Sequence, residues 1–257
     1  MNAQEIWIAL STIIRKEIRR FTRIWVQTLI PPAVTMALYF VIFGNLIGSR
    51  IGDMGGFDYM SYIVPGLIMM SVITNSYSNV VSSFFSSKFQ HQIEELLVSP
   101  TPNWVILVGY LIGGMGRGLM VGLIVTALSL FFTKLHIAHF GITLAIILLT
   151  SLLFSLGGFI NGIFARSFDD ISIIPTFVLT PLTYLGGVFY SIQLLPEFWQ
   201  KVSMVNPILY MVNSFRYGIL GVSDINVGIA FGMISLFVVA MFLFALHLLK
   251  NSKGLRS

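Results

Sequence analysis

Six stretches of this chain run past about 20 residues with almost no charge: Thr28–Gly48, Tyr59–Val81, Trp104–Phe132, Ile137–Phe164, Ile171–Ile192 and Val227–Leu249. At about 1.5 Å of helical rise per residue, each is long enough to cross the ~30 Å hydrocarbon core of a bilayer. Membrane β-barrels need strands that alternate polar and apolar residues. These runs are continuously apolar, so helices are predicted. Composition closes off the alternatives. Charged residues are 10% of the 257 and the mean hydropathy is +0.89, against about 25% charged residues in a soluble domain. Ten acids and fifteen bases cannot cover a soluble globule of this size. A soluble enzyme, a disordered tail and a secreted disulfide scaffold are excluded, the last also because cysteine is absent.

An even number of spans puts both ends on one side. Arg15, Lys16, Arg19, Arg20 and Arg23 precede the first span, and Lys250, Lys253 and Arg256 follow the last. With Lys88 and Arg166 that side holds ten bases, against four on the other: Arg50, Lys134, Lys201 and Arg216. Arg117 lies inside the third span. The positive-inside bias then places both termini in the cytoplasm. It also accounts for the net charge of +5 without nucleic acid as a partner. No small-residue cleavage site follows the N-terminal basic cluster, so the first span is expected to remain as an anchor.

Three segments between the spans carry further information. In the N-terminal segment the five bases share one arc of a helical wheel, while Ile6, Trp7, Leu10, Ile13, Ile14, Ile18, Phe21, Ile24 and Trp25 fill the opposite arc. Such a helix lies in the membrane interface with its bases among anionic headgroups. It serves as an anchor, or as a lever that also touches a cytoplasmic partner; Glu17, inside the apolar arc, favours the lever. In the loop Ser86–Asn103, Phe89, Ile93, Leu96 and Leu97 form one helical stripe, which Pro100 and Pro102 end. The loop helix rests on the bilayer or docks to a protein, and two adjacent acids, Glu94 and Glu95, suit an anionic membrane poorly. The outward stretch Leu194–Asp224 is broken at Asn206-Pro207. Its second piece, Ile208–Gly221, reaches only about 21 Å. Two short re-entrant or interfacial helices are predicted, with a packed cap as the alternative.

The chemistry is notable for its gaps. No G-x-x-x-x-G-K-[ST] phosphate loop is present, and neither G-x-S-x-G nor H-E-x-x-H occurs. All ten acids lie outside the spans or at their edges, where an ion-coupled carrier keeps acids within them. Arg117 is either a contact for an anionic substrate or a structural arginine satisfied by carbonyls or by Asp169 and Asp170. Gly113, Gly114, Gly116, Gly118, Gly157, Gly158, Gly186 and Gly187 are expected to let helices approach closely. A chain built to move something, with neither an ion relay nor a nucleotide site, would draw energy from a partner.

Five segments in order carry a resemblance: Pro65-Gly66-Leu67-Ile68-Met69-Met70, Glu94-Glu95-Leu96-Leu97-Val98-Ser99-Pro100, Phe168-Asp169-Asp170, Pro181-Leu182-Thr183-Tyr184-Leu185-Gly186-Gly187-Val188-Phe189 and Asn206-Pro207-Ile208-Leu209-Tyr210. Over nearly its whole length the chain resembles a permease subunit of the ABC transporter type-2 (ABC-2) exporter family. The resemblance implies an all-α integral membrane protein with six transmembrane helices. It further implies an N-terminal interfacial helix, a cytoplasmic coupling helix after span two, and re-entrant helices between spans five and six. The organisation would be a single domain over 1–257: interfacial helix 1–27, spans one to five 28–192, outward segment 193–226, span six 227–249 and cytoplasmic tail 250–257. Two such permeases would pair as a homodimer in a bacterial inner membrane and bind two copies of a separate ATPase. ATP and magnesium would be held by that ATPase and no cofactor by this chain, which is no enzyme itself. Phe89, Ile93, Glu94, Glu95 and Leu97 would dock into the ATPase, with Glu17 and Arg20 adding contacts. The path between the two copies would involve spans one, two and five. Arg117, Phe177, Tyr184, Phe189 and Tyr190 would line it or merely pack. An ATP-independent pore or scaffold and a secondary carrier are the competing functions.

Overall fold

The computed structural model describes residues 1–251, apart from the side chains of Asn45 and Ser49. The basic tail residues Lys253 and Arg256 lie outside the described residues. The described chain is helical except for one tight hairpin and the connecting turns.

Helix α1 (Ala3–Arg23) starts at a reciprocal cap: Asn2 Oδ1 accepts from the Glu5 amide at 2.8 Å, and Glu5 Oε2 accepts from the Asn2 amide at 2.9 Å. Short helices α2 (Trp25–Thr28) and α3 (Ile30–Tyr39) follow, then a π-helical segment, Phe40–Ile47, and α4 (Gly48–Ile51). Strands β1 (Asp53–Met54) and β2 (Phe57–Asp58) form an antiparallel hairpin pairing Asp53 with Asp58. Helix α5 (Tyr59–Phe89) is capped by Asp58, whose carboxylate accepts from the Met60 amide at 3.1 Å. After it come α6 (Gln92–Val98), α7 (Asn103–Ser129), α8 (Phe140–Phe164) and α9 (Asp170–Ile174). A second π segment, Pro175–Leu179, leads into α10 (Thr180–Leu185). Finally α11 (Glu197–Met204), α12 (Pro207–Leu220) and α13 (Val227–Asn251) complete the chain.

Among the described residues four helices are long and apolar enough to cross a membrane: Trp25–Gly44, Asn103–Ser129, Phe140–Phe164 and Val227–Asn251. The other two predicted stretches differ for physical reasons. Helix α5 has 31 residues, ample in length, but buries Ser71, Asn75, Ser76, Asn79, Ser83 and Ser87, which lowers its hydropathy. The stretch Ile171–Ile192 is cut short: its helical part ends at Leu185 and the chain then turns.

Helix α5 is the centre of the bundle and packs chiefly on α7 and α8. Small residues set these distances. A Cβ on Gly158 of α8 would strike the backbone of Tyr77 and stand 3.2 Å from the Val81 nitrogen of α5. A Cβ on Gly118 of α7 would strike Ser76. Packing is therefore what these glycines do. Two buried clusters result. One joins α5, α8 and α12 with Phe40; the other joins α1, α6, α7 and the last turns of α13 to the far end of α5.

The break at Asn206-Pro207 falls as predicted. Asn206 Oδ1 accepts from the Ile208 amide at 3.0 Å, Pro207 opens α12, and Gly221 ends it in the left-handed region at φ 78°. The far end of α12 is fastened to the start of α8: the Ala138 and His139 amides donate to Ile219 O and Gly218 O at 3.1 and 2.8 Å.

Candidate functional site

The predicted loop helix is present, but it is not continuous with Phe89. Helix α5 ends there, and His91 adopts a left-handed conformation at φ 59°. This is a costly state for a residue with a side chain, and it sets a sharp corner before α6. Ile93 is 1% exposed and belongs to the buried cluster shared by Ile13, Val105 and Ile106. Leu96 and Leu97 pack half-buried beside it. The outer surface of α6 carries Glu95, exposed, Glu94, whose side chain is 45% exposed, and Val98, 84% exposed. Glu94 Oε1 lies 3.1 Å from His91 Nδ1 and so supports the corner. Sequence reasoning put Phe89, Ile93 and Leu97 on one sticky stripe. The corner separates them: Ile93 holds α6 to the body, and Phe89 turns aside at 61% exposure. Val98 was missed, although its place beside Pro100 at a helix end was a usable signal.

Phe89 joins an aromatic cluster instead. Phe168 stands edge-on to Phe85, centroids 4.9 Å apart, and to Phe89 at 5.3 Å. Next to it, Lys88 Nζ donates to Ile163 O at 2.7 Å and Ala165 O at 2.9 Å, closing the C-terminus of α8 with a cation. Burial, and then the nearby Arg166 charge, push the Lys88 ammonium below its ordinary value. Asp170 accepts from the Arg166 and Ser167 amides at 2.8 and 3.2 Å, and these bonds hold its carboxyl below the usual range. Asp170 thus serves its own loop. Of the two structural alternatives for Arg117, the carbonyl is the one found: Arg117 Nη2 donates to Thr28 O at 3.4 Å, and no bond to Asp169 or Asp170 is made among the described residues.

Helix α1 is fastened to α5 by a run of polar contacts. Lys16 Nζ donates to Ser87 Oγ at 3.3 Å, Ser83 Oγ donates to Glu17 Oε1 at 2.7 Å, and Arg20 Nη2 donates to Asn79 O and Oδ1 at 2.7 and 2.8 Å. Glu17 is 0% exposed and pairs with Arg20 at 3.6 Å. The partner predicted for it therefore lies inside the chain, and its carboxylate presents nothing to the surface. Burial raises its pKa, with Arg20, the Ser83 hydroxyl and Lys16 opposing. Arg20 is likewise committed mainly to α5.

Of the expected path residues, Tyr184 and Phe189 come together with Tyr39 and Phe43 of the first apolar helix. Phe43 stacks on Phe189 at 4.7 Å, Tyr39 meets it edge-on at 5.9 Å, and Tyr184 lies at 5.9 Å. The Tyr190 hydroxyl donates to Tyr184 O at 2.9 Å. Phe177 stays apart, 74% exposed. Arg117 is remote from this wall, beside α2. Sequence reasoning passed over Tyr39 and Phe43, whose i, i+4 spacing was the signal. Sequence reasoning counted Arg216 on the outward side and gave it no partner. Arg216 is 1% exposed; its Nε and Nη2 donate to Tyr62 O and Gly187 O at 3.2 and 2.7 Å, and its guanidinium lies 4.0 Å over the Tyr62 ring. A cation–π contact and carbonyls take the place of a carboxylate.

The family profile described as "ABC-2 type transporter" matches residues 8–220. The chain is 61% identical to "Inner membrane transport permease YadH" of Escherichia coli (strain K12) over 98% of each chain. It is 23% identical to "Nodulation protein J" of Rhizobium leguminosarum bv. viciae over 83% of each, and 23% identical to that of Rhizobium meliloti (strain 1021) over 95% of this chain and 93% of the relative. The segments that carried the resemblance, the apolar helices and the profile agree, and the chain belongs to the ABC-2 type transporter family.

Proposed function

We propose that this chain is the membrane-spanning permease subunit of an ATP-driven exporter, set in a bacterial inner membrane and worked by a separate ATPase. Two copies form the path and two ATPase subunits drive it. In this reading α5 and α9–α10 complete a set of six spans, both termini face the cytosol, and α11–α12 dip into the outer leaflet without crossing. The observation that carries the reading is α6. It is a seven-residue helix at a sharp corner, pinned through Ile93 and presenting Glu94, Glu95 and Val98 outward. A helix this short has no stability of its own, so a push on its outer face is passed to α5 and α7 rather than dissipated. The inner membrane location follows the name of the 61% identical relative.

The test is reconstitution with the candidate ATPase. Glu94→Ala with Glu95→Ala should abolish stimulation of ATP hydrolysis and transport, while the variant remains folded and dimeric. A pore would conduct unchanged in the variant. A carrier would answer a proton or sodium gradient without ATP. Either result overturns the proposal.

A further inference from the structure

The last two turns of α1 hold a cleft of about 590 Å³ lined by Lys16, Arg19, Arg20, Arg23 and Ile24. Four cations face one concavity. The acid beside them, Glu17, is fully buried, with Oε1 taken by Ser83 and Oε2 turned to Arg20. Arg117, bonded to Thr28 O rather than lining the cleft, has a buried Nε without a hydrogen-bond partner. The side chains of Arg19 and Arg23 have no hydrogen-bond or ion-pair partner among the described residues; Arg19 is touched only at its carbonyl, by Thr22. The negative end of the helix dipole acts only within the final turn, so it accounts for Arg20 and Arg23; Lys16 is held by Ser87 Oγ and lies 5.7 Å from the Tyr110 ring, and Arg19 is left unexplained. Apart from the Arg20–Glu17 pair, the positive charge of the cleft has no acid partner among the described residues.

An apolar strip continues from the cleft. Ile24, Trp25 and Val26 are 42%, 55% and 54% exposed, at the point where α1 gives way to the first apolar helix. A charged concavity whose wall runs on into an exposed apolar strip matches a molecule with an anionic head and an acyl tail. Arginine forks bind phosphate oxygens in pairs, and the strip meets the chain below the head.

We propose that this cleft is a binding site for the phosphate headgroup of one anionic phospholipid, with its acyl chain along Ile24–Val26. Placement in the cytosolic leaflet rests on the orientation proposed above; the anionic-lipid chemistry does not. The experiment measures lipid retained by the purified full-length chain, by native mass spectrometry after exposure to phosphatidylglycerol or phosphatidylcholine. Wild type should retain phosphatidylglycerol at least about tenfold over phosphatidylcholine. Arg19→Gln with Arg23→Gln should erase that preference, and both side chains are free of internal partners, so folding is expected to survive. Arg50→Gln, an exposed base elsewhere, should leave it intact. Millimolar inorganic phosphate should fail to displace the lipid, and Trp25→Ala should weaken it. The site is refuted if the double variant retains phosphatidylglycerol as wild type does, or if Arg50→Gln lowers retention equally. Displacement by phosphate alone would mean a free-anion site and also overturn the proposal. Labelling of engineered surface cysteines from each side of the membrane tests orientation separately.

Discussion

Replacing Ile93 by alanine should loosen α6 without disturbing the bundle. The side chain is 1% exposed, and the change removes three carbons. At about 0.8 kcal/mol per buried methylene the transfer loss is about 2.4 kcal/mol, and the cavity left behind brings the cost of such changes into the range of about 2–5 kcal/mol. Helix α6 has seven residues and depends on Ile93, Leu96 and Leu97 for its place. A local cost of about 3 kcal/mol raises the population of detached α6 by about a hundredfold, since each 1.4 kcal/mol is tenfold. Hydrogen exchange in the reconstituted protein reads this directly. Amides of residues 92–99 should exchange about a hundredfold faster, while those in the middle of α5 should not change. Ile93→Val should give a graded effect of about 0.5–1.5 kcal/mol. Transport should fall with detachment, whereas Glu95→Ala, at an exposed position outside the His91 corner, should lower transport at unchanged exchange. If Ile93→Ala leaves exchange within twofold, or speeds it equally throughout the protein, Ile93 is not what fixes α6.

Other expectations follow from the buried polar groups and the close helix contacts. Because burial raises the folded pKa of Glu17 above its ordinary 4.5, its contribution to stability is full below that value and is lost as pH rises through the raised one. Melting temperature in detergent should therefore decline across that interval, and Glu17→Gln should flatten the decline. Arg216→Ala strands two buried carbonyls at a cost of about 1–3 kcal/mol each; limited proteolysis should then cut within residues 194–224, and Arg216→Lys should not restore protection because one ammonium lacks the fork. Gly158→Leu places a side chain against the Tyr77 backbone, which has no rotamer to yield, so the variant should fail to accumulate in membranes, while Gly232→Leu, in open space, should be tolerated.

What the sequence disclosed and what it hid divide along sequence distance. The cap and break at Asn206-Pro207, the end of α6 before Pro100 and the amphipathic course of α1 depend on residues within a turn or two, and each is visible by inspection. Glu17 finds its partner 66 positions away in Ser83, and Arg216 reaches Tyr62 across 154. No local pattern reports such pairs, which is why Glu17 was assigned a partner outside the chain and Arg216 was counted by side alone. The corner at His91 was invisible for another reason. Left-handed backbone is ordinarily signalled by glycine or asparagine, and here a histidine occupies it. Helix α5 was legible as the apolar stretch Tyr59–Val81, but not the fact that its serines and asparagines are buried against protein.

Helix α8 is clamped at both extremities. At one, Lys88 grips the carbonyls of Ile163 and Ala165; at the other, the amides of Ala138 and His139 are tied to the end of α12. A stiff rod fixed twice cannot be nudged at its foot without straining whatever is attached to its head. The turn that carries α6 and the short helices on the far side of the bundle are thereby yoked through a single element, which packs on both α5 and α13.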